Sequence, residues 1–401
     1  MDAYGAFALN NPHKVRFAAV AEPDAARREL FGKLHGIGEN MQFNTWEDLL
    51  ARPKFCDAVL VGTQDRMHFA PVMAALDSGY DILLEKPMSP SPAECAEMAR
   101  KAEKCGRLLM ICHVLRYTPF FSTIKEIIDD GRIGEIVSVQ HNENVAYWHQ
   151  AHSFVRGNWN NSGTSSAMIL AKCCHDMDIL AWLIGRRCLR VSSFGSLKLF
   201  TRGNAPENSA DRCTDGCPAE SGCPFSALKL YIGKDGWPAN VVSQDISPES
   251  MMEALRNGPY GRCVYKCDNN VVDHQVVNME FEGGATVAFT MCAFTADCTR
   301  TIKIMGTRGE IRGLMEKGEI EVTLFNTGVR EIIRTPDGDG HSGGDEGLMN
   351  AFADQLNDIA GIDAVTSAQV SLQSHLMAFA AEKSRLEKRV IEMDEFMRGL
   401  L

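Results

Sequence analysis

Asp81-Ile-Leu-Leu-Glu85-Lys86-Pro87 is an apolar run of strand length that ends in a carboxylate, an amine and a proline. Pro87 lacks the N–H a continuing strand would need, and its ring biases Lys86 toward an extended backbone. Open α/β sheets bind ligands at the carboxyl ends of their strands. If the flanking chain builds such a sheet, this segment puts Glu85 and Lys86 on its ligand-bearing edge.

The flanking chain does alternate in that way. Upstream, residues 15–21 read as a strand, 23–36 as a helix, 45–50 as a short helix and 57–61 as a strand closing on Gly62-Thr63. Residues 67–78 follow as a helix closed by Gly79. Downstream, 91–105 is a helix stopped by Gly106, and 108–114 is another strand. Strands alternating with helices predict a doubly wound parallel sheet, here a Rossmann-type domain over residues 1–117. The texture then changes. A helix over 119–130, a strand over 135–144 and a helix over 165–184 precede a strand-rich stretch from 191 to 333, with pieces at 276–281, 285–293 and 301–305. Helices over 346–359 and 367–386 close the pattern. This predicts an α+β domain over residues 118–401 on a mostly antiparallel sheet, its last helices packing back. Residues 200–224, rich in Cys, Pro, Gly and charge, read as an irregular insert.

Composition narrows the function classes. A formal net charge of −11 with no basic stripe argues against nucleic-acid binding. No apolar run reaches membrane-spanning length, and Met1 is not followed by a basic segment and an apolar core. Fourteen cysteines, many in apolar segments, suit free thiols in a reducing compartment, so a cytoplasmic protein is expected.

A dinucleotide domain ordinarily opens with a strand and a glycine-rich turn feeding its first helix. Here residues 1–9 already read as that first helix, so the chain is expected to begin inside the fold, without the phosphate-cradling turn. The literal G-x-G-x-x-G at Gly338, Gly340 and Gly343 reads as a decoy, because helices follow it rather than a return strand. Glu22 ends the second strand of the complete fold, where an acid holds a ribose 2′-hydroxyl and favours NAD; Arg27 and Arg28 beside it leave NADP open. As a solvated loop acid it would mean nothing. Gly62-Thr63-Gln64 lets backbone approach a cofactor, or is an ordinary turn. His68, one helical turn on, is either part of that edge or a capping residue. Arg116-Tyr117 ends the next strand on the same edge.

A second constellation is Lys172-Cys173-Cys174-His175-Asp176-Met177-Asp178. On one continuous helix Lys172, His175 and Asp176 share a face. The bland reading is an i,i+4 Lys172–Asp176 pair beside a core histidine. Three polar residues among Met168, Ile169, Leu170, Ile179 and Leu180 instead suggest a functional cluster. Tyr147-Trp148-His149, His152, Arg156 and Trp159 interleave aromatic faces with His and Arg, which suits a polyhydroxylated ligand or simple packing. Cys213, Cys217 and Cys223, with Cys263 and Cys267 downstream, could hold zinc or iron–sulfur, although their spacings match no standard pair; redox-inert surface thiols or an occasional disulfide are the alternatives.

Glu85-Lys86-Pro87, Arg116-Tyr117-x-Pro119 and the helix carrying His175 and Asp178 together resemble the Gfo/Idh/MocA family of oxidoreductases. The resemblance extends over nearly the whole chain, through Gly306-Thr-Arg-Gly309-Glu to Gly343-Gly-Asp. It implies an NAD(P)-dependent enzyme acting on the CH–OH group of a sugar, cyclitol or derivative. It also implies that Lys86 contacts cofactor and substrate and that His175 is the acid/base. Glu22, Gly62, Thr63, Gln64, His68, Glu85 and Arg116 would line the cofactor; His149, His152, Arg156 and Trp159 would line the substrate. Many members carry an aspartate four residues before the histidine, where this chain has Ala171; Lys172 would supply the missing polar function, or Asp176 would orient His175. A homo-oligomer pairing through the C-terminal sheet is expected. Two alternatives share the site: a redox-neutral glycosidase or lyase using NAD, and a non-catalytic homologue without the phosphate loop.

Overall fold

In the N-terminal half, short parallel strands carry the polar edge. The computed structural model describes residues 2–336, 338–357 and 366–399. β1 (Val20–Ala21) pairs with β2 (Gln42–Phe43); β3 (Ala58–Val61), β4 (Asp81–Leu84) and β5 (Leu109–Ile111) form a separate parallel sheet in that order. Ile82, Leu83 and Leu84 are all fully buried, as a strand covered on both faces requires. The strand expected over 15–21 shrinks to two residues. Val15 and Phe17 still pack against the apolar cluster containing Leu83 and Met110, but among the described residues no neighbour pairs with 15–19.

Helix ends follow the local chemistry. The helix Pro92–Cys105 starts on Ser91, whose hydroxyl accepts from the Glu94 N–H, and stops at Gly106 in a left-handed conformation (φ 59°). The helix Pro119–Asp129 starts in the same way on Thr118. The peptide bond between Lys86 and Pro87 is cis.

Nine strands form the second sheet: β6 (Ile136–Asn144), β7 (Cys188–Ser196), β8 (His274–Phe281), β9 (Thr286–Cys292), β10 (Thr299–Gly306), β11 (Gly309–Leu314), β12 (Glu319–Leu324), β13 (Arg330–Arg334) and β14 (Ile391–Glu392). Their order is β13-β12-β11-β10-β6-β9-β8-β7-β14, antiparallel except where β6 meets β9. Alternation on β6 buries Val139, His141 and Glu143 on one face. The register of β10 sets Arg300 opposite Glu143 and Ile302 opposite His141.

Three expectations are corrected. The helix expected over 165–184 is two pieces, Met168–Ala171 and Cys174–Ile184, broken at Lys172-Cys173. The stretch from 191 to 333 is not uniformly strand-rich. Among the described residues no strand lies between Ser196 and His274, where Ala227–Tyr231, Ala239–Val242 and Pro248–Asn257 are helices around a small core of Tyr231, Met251 and Leu255. The irregular insert is thus larger than 200–224. Of the helix expected over 346–359, Gly344–Leu356 is helical and residues 358–365 lie outside the described residues.

The helix Ala368–Glu387, started by Ser367, joins the two halves. Gln369 donates to the Ala99 carbonyl (3.1 Å) on one side, and Ser384 accepts from the Ser193 N–H (2.9 Å) of β7 on the other.

Candidate active site

The break after Ala171 frees a main-chain carbonyl at a helix end, and Lys86 Nζ donates to it at 3.1 Å. An ammonium there also meets the negative end of the short helix's dipole. Ala171 occupies the position where the resemblance expects a carboxylate, and its carbonyl binds Lys86 through the backbone. Glu85 is committed elsewhere. Its carboxylate accepts from the Tyr4 hydroxyl (2.6 Å) and the Lys86 N–H (3.1 Å). His68 stitches the edge together, its ring nitrogens lying 2.8 and 2.9 Å from the Pro87 and Thr63 carbonyl oxygens. The Thr63 hydroxyl is buried and makes no hydrogen bond.

His175, at the start of the helix Cys174–Ile184, is 5 % exposed, and its Nδ1 is buried without a partner. Burial, reinforced by the Lys86 charge, pushes its pKa well below the ordinary histidine value. The imidazole is therefore neutral, with a lone pair available near neutral pH. His113 packs edge-on against it, ring centres 5.9 Å apart, and is itself held down to about 3 by burial. Asp178 lies three residues further along the helix. Arg116 grips it with two buried hydrogen bonds of 2.6 Å, and Ser374 adds one of 3.4 Å. Burial alone would raise the Asp178 pKa; Arg116 outweighs it and the net shift is downward. Arg116 therefore ties the parallel-sheet edge to the His175 helix.

Asp176 turns the other way. It accepts from His141 Nε2 (2.8 Å) and from Arg300 Nε (2.8 Å) and Nη2 (3.3 Å), all facing the second sheet. Arg300 also pairs with Glu143 at 2.6 Å, and Lys172 Nζ lies 3.4 Å from the same carboxylate. The Lys172–Asp176 pair is thus replaced by Lys172–Glu143, and Asp176 does not orient His175. The break at Lys172-Cys173 moves Lys172 off the face it would share with Asp176. Sequence reading passed over His141, Glu143 and Arg300. The available signal was parity: Glu143 and His141 lie on the same strand face as buried Val139.

The aromatic segment divides. His149 sits beside Trp237 (ring centres 4.9 Å apart), Trp148 (5.8 Å) and the Cys298 thiol (3.5 Å), and burial next to Lys172 pulls its pKa to about 2. His152 stacks on Tyr260 at 4.7 Å and lies 3.0 Å from the Tyr231 hydroxyl, its pKa lowered to about 4 by burial and by Arg156. Arg156, expected on substrate, is spent on scaffold. It donates to the Arg262 (2.8 Å) and Phe225 (2.7 Å) carbonyls inside the insert. Trp159 donates to Asp65 (3.3 Å), beside the turn after β3. Trp237 was not singled out, since nothing in its local sequence says that the insert folds over His149.

A dinucleotide can be tested against these residues. Glu22, Gly62-Thr63 and Lys86 follow the carboxyl ends of β1, β3 and β4, which is the crevice such a ligand takes. The orphaned Thr63 hydroxyl and the partly buried Lys86 are the donor set expected there. Glu22 Oε1 at present accepts from the Asp24 N–H (2.9 Å), and Gln64 is exposed. The residues fit the nicotinamide side and the ribose position. Among the described residues the glycine triplet at 338–343 offers no cradle, because it lies in a helical turn, Asp339–Ser342, that runs into the helix Gly344–Leu356. As placed, no three His, Cys, Asp or Glu side chains among the described residues converge on a metal ion. No helix is long and apolar enough to cross a membrane.

Comparison with known proteins agrees with the fold. The family model for an oxidoreductase family with an NAD-binding Rossmann fold matches residues 2–113, and that for the family's C-terminal alpha/beta domain matches 125–340. YteT of Bacillus subtilis (strain 168), described as an oxidoreductase, is 24% identical over 373 residues, covering 88% of this chain and 84% of that protein. Inositol 2-dehydrogenase of Corynebacterium glutamicum (strain ATCC 13032) is 26% identical over 188 residues, 45% of this chain and 50% of that one. The fold also matches a levoglucosan dehydrogenase solved with NADH and levoglucosan, with a TM-score of 0.73, 16% identity and coverage of 98% and 96%.

Proposed function

The chain belongs to the Gfo/Idh/MocA oxidoreductase family, and we propose that it moves a hydride between NAD and a carbinol carbon of a sugar, cyclitol or related polyol. One observation carries this reading. A buried, neutral imidazole with a free nitrogen, His175, stands beside a lysine whose ammonium donates to a backbone carbonyl, at the carboxyl edge of a parallel sheet. When bound, NAD supplies the hydride acceptor.

The residues of the chain supply the rest. Oxidation of a carbinol removes the hydroxyl proton as well as the hydride. Lys86 donates a hydrogen bond to the substrate oxygen, and His175 takes its proton. Burial and the Lys86 charge, which keep His175 neutral before reaction, also favour release of that proton afterwards. Arg116, through Asp178, fixes the helix on which His175 rides. His149, Trp148 and Trp237 present aromatic faces to the C–H side of a ring-shaped substrate. Relatives named for inositol and levoglucosan support that substrate class. The pairing of Phe194 with Val276 leaves an apolar strip on the outer sheet face, 69% and 37% exposed, that suits a second copy of the chain.

The test is to mix the protein with NAD and a panel of inositols, anhydro-sugars and aldoses, and to follow reduced nicotinamide. Turnover on at least one polyol, lost in His175→Gln, is expected. Undiminished turnover in that variant would overturn the assignment.

A further inference from the structure

The insert gathers four sulfurs around one cavity. Cys213, Cys217, Cys223 and Cys263 line a space of about 370 Å³, its mouth included, although Cys263 lies 40 residues beyond Cys223. All four thiols are free. The antiparallel bridge between Arg212 and Arg262 and the hydrogen bond from the Cys213 N–H to the Gly261 carbonyl (2.9 Å) bring the two segments together. The Ala227 N–H donates to the Cys213 sulfur at 3.4 Å.

Two arginines line the same cavity. Arg156 is 1% exposed, its Nη1 has no hydrogen-bond partner, and its Nη2 lies 3.7 Å from the Cys213 sulfur. Arg212 has a buried, unpartnered Nε. No carboxylate pairs with either among the described residues. A buried guanidinium without a counter-charge is costly. The cavity they line also holds the Glu220 carboxylate, which accepts from the Ser226 hydroxyl (2.9 Å), and the four thiols, which become anions when they bind a metal.

We propose that Cys213, Cys217, Cys223 and Cys263 bind a thiophilic metal centre, either one zinc ion or one iron–sulfur cluster, with Arg156 and Arg212 balancing its charge. Binding releases four thiol protons to solvent. Four thiolates around a divalent zinc, or around an iron–sulfur core of the same charge, leave two negative charges for two arginines. The sulfurs as placed do not converge on a single ion, so binding requires the thiols to rotate inward. Cys267 lies outside the set, since its thiol donates to the Cys263 carbonyl (3.3 Å). The centre would pin the insert to Arg156, at the end of the segment that begins beside His149, and so hold one wall of the substrate region.

The experiment reads metal, not turnover, so its outcome is separate from the functional assignment. The full chain is produced in cells supplied with iron and zinc, purified without oxygen or chelator, and analysed for both metals and for acid-labile sulfide. The expected result is about one zinc, or about four irons with matching sulfide, per chain. The stoichiometry distinguishes the two forms. A Cys213→Ser, Cys263→Ser double variant loses the metal at least tenfold, and Cys267→Ser keeps it. If the double variant does not fold, the wild-type protein still decides. Four thiols should resist alkylation until a mercurial or strong chelator releases the metal. Metal below about a tenth of an equivalent, metal retained by a folded double variant, or four thiols that alkylate freely would overturn the proposal.

Discussion

His175 and Asp176 are adjacent in the chain and both buried, yet they have opposite surroundings. His175 faces the parallel-sheet edge, keeps a nitrogen without a partner, and is neutral because it is buried, with the Lys86 charge reinforcing the effect. Asp176, a third of a helical turn away, faces the antiparallel sheet, where His141 and Arg300 occupy both of its oxygens. One cluster leaves polar capacity for a ligand, and the other spends its capacity on holding helix to sheet. For these two neighbours, the partners each side chain has therefore say more than the residue types do.

The largest expected effect is at Lys86. Lys86→Met should lower kcat by about a hundredfold or more while leaving the thermal midpoint within a few degrees, because the lost group acts on the reacting oxygen. Steady-state rates with melting curves check this. Arg300→Met should behave in the reverse way. It leaves Asp176 buried without its cation and Glu143 with Lys172 alone, at a cost of about 3–5 kcal/mol in denaturant unfolding.

Stability should also fall in acid. His113 and His375 are held to about 3 and about 4, mainly by burial, whereas in the unfolded chain they would protonate near pH 6.5. Between about pH 6.5 and 4 the unfolded chain binds more protons, so stability drops as pH falls, by up to about 1.4 kcal/mol per pH unit for each group. His375 Nε2 accepts from the Met88 N–H (3.0 Å), a role glutamine can fill, so His375→Gln should flatten that slope. Melting at a series of pH values measures it. Trp237→Ala should raise KM several-fold with little change in kcat, since an aromatic face contributes about 1 kcal/mol to binding. Lys172→Gln should cost less than about 1 kcal/mol in unfolding, as a partly solvated member of the Glu143 network.

Much of this was legible in the chain. The alternation around Lys86 predicted the parallel sheet, and Gly106 marked the end of the helix before β5. Which carboxylate pairs with which base was not legible, because it depends on a helix break at Lys172-Cys173 and on the register of β10 against β6. Local periodicity encodes neither. Arg156 misled for a related reason: its partners lie 69 and 106 residues away, in an insert whose folding has no periodic signature.

The central claim is tested most directly by measuring kcat and the thermal midpoint of His175→Gln and Asp176→Asn side by side. The account predicts that His175→Gln loses at least about a hundredfold in kcat at an unchanged midpoint, and that Asp176→Asn melts lower while its folded fraction turns over at near-wild-type rate. A rapid His175→Gln enzyme, or a stable but inactive Asp176→Asn, would contradict it.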